Sequence, residues 1–243
     1  MDDEIDIELR PPQDVARRAI VLTTLLRRIA LENLQGTGSR EAEDEAFDLR
    51  EWLQVEGLRA TTTEREAAIL AAPCGSLGSE WVAEFSWQGE ALAALLWALG
   101  HIPAPLPVDS TFHLDITGIP APWDSTVEWV STAQLRAEET IANERERAEI
   151  WHWRLVVEAL RRAADGPELL EIQRAIAEVV TDAIAVGLLA GSVTSDFAVA
   201  GAAMREIPET TLDSLTSTWE QRLWALNWAV GFGSSWDDVP LDV

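Results

Sequence analysis

The chain has 243 residues, 47% of them apolar, which is enough for a substantial core, and a formal net charge of −24. So acidic a chain lacks the clustered cations that nucleic-acid backbones and anionic membrane surfaces require. All 18 basic residues are arginine, so Schiff-base lysine chemistry and a Walker-type phosphate lysine are excluded.

Residues 1–12 form an acidic arm, Met1-Asp2-Asp3-Glu4-Ile5-Asp6 onward, closed by Pro11-Pro12. It is the opposite of a signal peptide's basic start. The first helix is predicted over Asp14 to Asn33, with Ala16, Ala19, Ile20, Leu22, Leu26, Ile29, Ala30 and Leu34 as its apolar stripe. Arg17, Arg18, Arg27 and Arg28 fall mostly off that stripe. Gly36-Thr37-Gly38 stops it, and Ser39 caps a second helix through Phe47, Leu49 and Trp52 that ends at Gly57. Thr63-Glu64-Arg65-Glu66 has the form of a capping box and opens a third helix closed by Pro73.

Cys74 to Ser79 reads as a loop, and its lone cysteine allows no intramolecular disulfide, which fits a reducing compartment. Glu80 to Phe85 and Glu90 to Leu99 read as helices; the second is apolar nearly all round and is the expected centre of the core, capped by Gly100. His101 to Trp123, with five prolines, is a long irregular connection with at most a short extended piece at Phe112 to Ile116. A seam is possible at 101–124. A long helix is expected from Thr132 to Ala164, ended by Asp165-Gly166-Pro167, with one half exposed or interfacial and the other buried. Glu168 to Leu189 is amphipathic, Gly191 to Pro208 carries short β-like pieces around Phe197 to Val199, and a last helix spans Thr210 to Val230. No apolar run reaches the ~18 residues that span a bilayer. The expectation is an all-α fold in one compact multi-helix domain, residues 13–243, with at most a minor β-hairpin, in the cytoplasm.

The densest constellation lies in the last 25 residues. Trp219, Leu223, Leu226 and Val230 share a helical face, flanked by Trp224 and Trp228. Asn227 sits among them and, if buried, must find hydrogen-bond partners. Gly231 and Gly233 let the chain turn so that Trp236 packs back, which brings Asp237 and Asp238 near Arg222 or near Arg17 and Arg18. One reading is a structural clasp of Arg222, Asn227, Trp228, Trp236, Asp237, Asp238, Arg17 and Arg18; the other is a carboxylate pair that binds a cation or a partner's arginine.

The pattern Glu220-x-Arg222-x-x-Ala225-Leu226-Asn227-Trp228 followed by Trp236-Asp237-Asp238-Val239 resembles the bacterial family called domain of unknown function 4272. Glu90-Ala91-Leu92 through Leu96-Trp97-Ala98-Leu99-Gly100 is similar to that family's mid-chain motif, and Arg18-Ala19-Ile20-Val21-Leu22 to its first helix. The end, Leu241-Asp242-Val243, departs from the Asp-Thr usual there. The resemblance covers most of the chain and implies one domain, with no established reaction or ligand.

Catalytic patterns are incomplete. Glu149-x-x-His152 has the spacing of half a di-iron site, but the second half is missing. Cys74, His101 and His113 lack the spacings of a zinc site or a cysteine hydrolase, and Cys74 reads as a surface or half-buried thiol. No nucleophile elbow, dinucleotide turn or Walker loop is present. The charged run Arg136 to Glu149 reads as a solvated face or as a dock for a partner helix. The expectation is therefore a protein-interaction or accessory module without cofactor or metal. Its partner would be a protein, a basic one by charge complementarity, and neither nucleic acid nor membrane. The alternative is a metal-dependent or hydrolytic enzyme whose site gathers Asp237, Asp238, Glu149 and His152.

Overall fold

The computed structural model describes residues 7–34, 40–113 and 115–241. The acidic stretch Met1 to Asp6, the Gly36-Thr37-Gly38 stop, the Ser39 cap and the closing Asp242-Val243 lie outside the described residues, as does the Leu34 side chain. The fold is predominantly helical, with eight α-helices among the described residues and one small antiparallel sheet.

Helix α1 (Pro12–Leu34) starts with proline, whose missing N–H costs nothing in the first turn. Of its expected stripe, Ala16, Ala19, Ile20, Leu22 and Ile29 are buried and Leu26 and Ala30 half-buried, with Val15 and Leu25 buried beside them. Helix α2 (Arg40–Val55) ends at Gly57, which takes the left-handed φ of +71°. Helix α3 (Glu64–Ala71) has the predicted capping box: Thr63 Oγ1 accepts from the Glu66 N–H, and Glu66 accepts from the Thr63 N–H. Helix α4 (Ser79–Ala98) runs continuously where two helices were expected, so Gly89 sits inside it. Gly100 follows its end at φ +78°, and the His101 N–H donates to Leu96 O at 2.9 Å.

The long helix expected from Thr132 begins instead at Glu138, and a short helix that was not expected precedes it. Short α5 (Val127–Ser131) is separated from α6 (Glu138–Ala163) by residues that finish α4. There the Arg136 N–H donates to Ala98 O, and its guanidinium donates to Trp97 O and Ile102 O while lying 5.0 Å from the Trp97 ring centre. Helix termini leave carbonyls without partners, and this segment gives up helix to satisfy those of α4. Asp165-Gly166-Pro167 both ends α6 and begins α7 (Gly166–Ala185). Strands β1 (Ser192–Val193), β2 (Asp196–Val199) and β3 (Ala202–Ala203) form an antiparallel meander, one strand more than a hairpin. Helix α8 (Glu209–Ala229) closes the fold. No strand occurs at described residues between Phe112 and Ile116.

The core forms where α4 and α8 pack together, with α1 against α4 and α6 against α8. Residues 101–124 are irregular but tied down: Trp219 Nε1 donates to Val108 O, the Phe112 N–H to Glu90, and Trp52 Nε1 to Asp124 O.

Charge enters this core against expectation. Arg18 and Arg28 are buried, although both fall off the predicted apolar stripe. The charged half of α6 is not a solvated face either, since Glu144 and Arg145 are buried; exposure in α6 divides by face and not by half, leaving Val156 and Leu160 outside. Cys74 is buried as well: its backbone N–H donates to Glu43, its Sγ to Ala42 O, and burial pushes its thiol pKa up. Among the described residues no helix is long and apolar enough to cross a membrane.

Candidate functional site

A cleft of about 690 Å³ opens where the start of α1, the turn before α3 and the chain after α8 meet. Arg10, Asp14, Arg17, Arg18, Thr61 to Glu64, Trp228 and Ser234 to Asp237 line it. Its floor is aromatic. Trp236, on a 3₁₀ turn (Trp236–Asp238), packs edge-on against Trp228 with ring centres 5.4 Å apart. Trp224 Nε1 donates to Trp236 O and holds the turn down. Gly233 makes the return possible: at φ +76° a Cβ there would lie 2.3 Å from Asp238 O.

Each arginine of the cleft is committed to the protein itself. Arg18 Nη1 donates to Glu66 Oε2 at 3.0 Å, Nη2 closes a second contact to Glu66 Oε1, and the guanidinium lies 4.3 Å from the Trp236 ring centre. Burial pushes its pKa down to about 9, while the charge of Asp237 acts the other way. Arg10 sits 4.7 Å from the Trp228 ring centre and donates to Trp228 O and Gly233 O, each at 2.7 Å. Arg17 pairs with Asp14 at 2.7 Å. Asp237 and Glu64, by contrast, are exposed and make no ion pair among the described residues.

Of the residues named from sequence, the cleft gathers Arg17, Arg18, Trp228, Trp236 and Asp237. Asp238 is close by, accepting from the Ser234 hydroxyl at 2.8 Å. Arg222 and Asn227 stand elsewhere. Arg222 does not meet the carboxylate pair; it makes two bonds to Glu90 Oε2, at 2.9 and 2.8 Å, and donates to Pro107 O and Ser110 O. Asn227 is fully buried and satisfied, accepting from Arg145 Nε and donating to Pro240 O, both at 2.8 Å. Glu149 is held by Arg145 at 2.9 Å and does not line the cleft, nor does His152, whose pKa burial lowers. Among the described residues no three His, Cys, Asp or Glu side chains group to hold a metal.

Sequence reasoning missed Arg10, Glu66 and Glu90. The capping box was the one local signal for Glu66, but its second partner is 48 residues away on α1. A pairing that crosses 132 residues, Glu90 with Arg222, leaves no local pattern at all.

No curated protein and no solved structure matches the chain. A family profile described as domain of unknown function (DUF4272) matches residues 1–180, which takes in α1 to α6 and most of α7 but stops before α8 and the Trp236 turn. The match covers well over half of the chain, and the protein therefore belongs to the domain of unknown function 4272 family.

Proposed function

We propose that this protein is a cytoplasmic interaction module that presents an acidic surface, with the cleft at its focus, to a basic protein partner. The observation that carries the reading is where the charge sits. Among the described residues the buried cations are Arg18, Arg28, Arg145, Arg154 and Arg222, and the buried anions are Glu66, Glu90, Glu144, Glu158 and Asp196. They cancel one for one, so the net charge of −24 falls on groups that are not buried or lie outside the described residues. A surface of this kind draws cationic partners over a Debye length of about 8 Å at physiological salt.

The cleft repeats the pattern at short range. Its cations are spent on Glu66, Asp14 and backbone carbonyls, while Asp237 and Glu64 remain at the rim beside a tryptophan floor. An arginine or lysine side chain from a partner meets there both a carboxylate and an apolar shelf for its stem.

Native mass spectrometry of the tagged protein, purified gently from its own host, tests this. The expected result is a basic protein bound in fixed stoichiometry at about 50 mM salt and released near 0.5 M, as screening of exposed charge requires. Asp237→Ala with Glu64→Ala should weaken that complex. A lone chain at every salt concentration, or one carrying a metal or small-molecule adduct, overturns the proposal.

A further inference from the structure

The opposite sign of charge accumulates at one place, where the second half of α6 meets the β-meander. Four arginines converge there on two carboxylates. Arg154, Arg161 and Arg162 all bond Glu158, at 3.0, 2.8 and 3.0 Å. Arg154 also bonds Asp196 at 2.7 Å, and Arg205 lies 3.6 Å from the same carboxylate. The cluster thus holds two more cations than anions on a strongly acidic protein. Asp196 has no capacity to spare, since it also accepts from the Phe197 and Arg205 backbone N–H groups. Arg154, although fully buried, keeps Nη1 without an acceptor. Burial alone would raise the Glu158 pKa, but hydrogen bonds from Arg161, Arg162 and Arg154 and the charge of Arg154 outweigh it and hold the group at about 2.

A cavity of about 360 Å³ opens on this cluster, lined by Arg161, Arg205, Gln173, Thr194, Ser195 and Asp196. Thr194 and Ser195 form the two-residue turn between β1 and β2, at φ +49° and +59°. Two-residue hairpin turns of this hand favour Asn-Gly or Gly-Gly, and a β-branched residue in the left-handed region is an outlier. Arg205 holds the turn by donating to Thr194 O and Thr194 Oγ1. The result is two hydroxyls and a carboxamide set around the edges of two guanidinium groups. Arg161 spends Nε and Nη2 on Glu158, so its Nη1 edge stays available.

We infer that this cavity binds a phosphate group, as the free ion or as a monoester. Its two negative charges match the local excess, and its tetrahedral oxygens suit donors that come from the guanidinium edges, Thr194, Ser195 and Gln173 together. A planar carboxylate meets fewer of them and carries half the charge. The inference is independent of the basic-partner reading, which concerns the opposite charge at another place in the fold.

Calorimetric titration of the full chain with inorganic phosphate, and separately with O-phosphoserine, tests it at constant ionic strength. Saturable binding is expected. Arg205→Gln and Arg161→Gln should each weaken it about tenfold or more, and the exposed Arg40→Gln on α2 should leave it unchanged. Ser195→Asp breaks no ion pair and places a carboxylate in the cavity, so it should abolish binding without altering the melting curve. Tighter binding of O-phosphoserine marks a monoester site and equal or weaker binding a free-ion site; each supports the shared chemistry. Titrations that fail to saturate, that acetate matches, or that Ser195→Asp leaves untouched overturn the inference.

Discussion

Near its start α6 gives each arginine its own carboxylate, Arg145 with Glu149 and Arg147 with Glu144, whereas further along Arg154, Arg161 and Arg162 all converge on Glu158. The first arrangement is closed, with Arg145 also donating from Nε to buried Asn227 of α8. The second is open, with cations in excess beside a cavity. Both regions lie on one helix, and the first is the more densely charged in sequence. Balance within a charge cluster, more than its density, separates groups that only hold a fold together from groups left with something to bind.

The largest expected effect comes from removing what both regions lean on. A fragment of residues 1–180 keeps the span that defines the family but lacks the meander and α8, so Arg145, Arg154 and Glu90 lose partners and the α4 and α6 faces are uncovered. Such a fragment should bind a hydrophobic dye and show no cooperative melting. A sharp transition would show that α8 is dispensable.

Glu90→Ala comes next. It strands Arg222, which is buried, and should cost about 4 kcal/mol in denaturant unfolding. Pairing it with Arg222→Leu should restore most of that loss, because the penalty is the unpaired charge and not the missing bond. If the double variant is no better than the single one, the balanced pair is worth more than this comparison allows.

Glu158→Gln probes the open cluster and should cost less, about 2 kcal/mol at neutral pH, because Arg161 and Arg162 can turn toward solvent. The sign of its pH dependence is fixed. Glu158 is held at about 2 in the folded protein against an ordinary 4.5, so its contribution is complete above 4.5 and fades as pH falls toward 2. Wild type and variant should therefore converge in stability across that interval. A gap that stays constant would mean that the arginines do not depend on the charge of Glu158.

The smallest effect is expected for Asp237→Ala with Asp238→Ala. Both carboxylates are exposed, and Asp238 holds only a surface hydroxyl, so melting should shift by less than about 1 kcal/mol. A larger loss would give the pair the structural clasp role.

The local grammar of the chain was readable and its long-range charge pairing was not. The Thr63–Glu66 box, Gly100 after α4 and the folding back of Trp236 all follow from spacing, because caps, turns and helical faces are set by neighbours within a few residues. Residues 86–89 separated two expected helices, yet α4 runs through them, Gly89 included, because the packing of Phe85 and of Glu90 to Ala98 outweighs a cost of about 1 kcal/mol for glycine in a helix. Residues 132–137 have helical composition and are not helix, since the carbonyls they satisfy belong to α4. Arg18 fell off the apolar stripe and Arg145 in a run read as a solvated face or a dock for a related reason: a buried arginine and an exposed one read alike until the carboxylate or amide that accepts from them is brought up from another part of the chain.

Residues 8 and 10 lie across the end of α8, with the Glu8 N–H donating to Val230 O and the Arg10 N–H to Ala229 O, and a Cβ on Gly231 would lie 2.5 Å from Glu8 O. That crossing sets an order of events during synthesis. The segment leading into α1 leaves the ribosome before α8 and reaches its resting place only after α8 has followed it, more than two hundred residues later. At elongation rates of about 5–20 residues per second this is an interval of ten seconds or more in which the Glu8 and Arg10 N–H groups have no α8 end to bond. Until α8 arrives, those donors and the α4 face that α8 covers stay open, the condition in which nascent chains are exposed to aggregation and to chaperone binding.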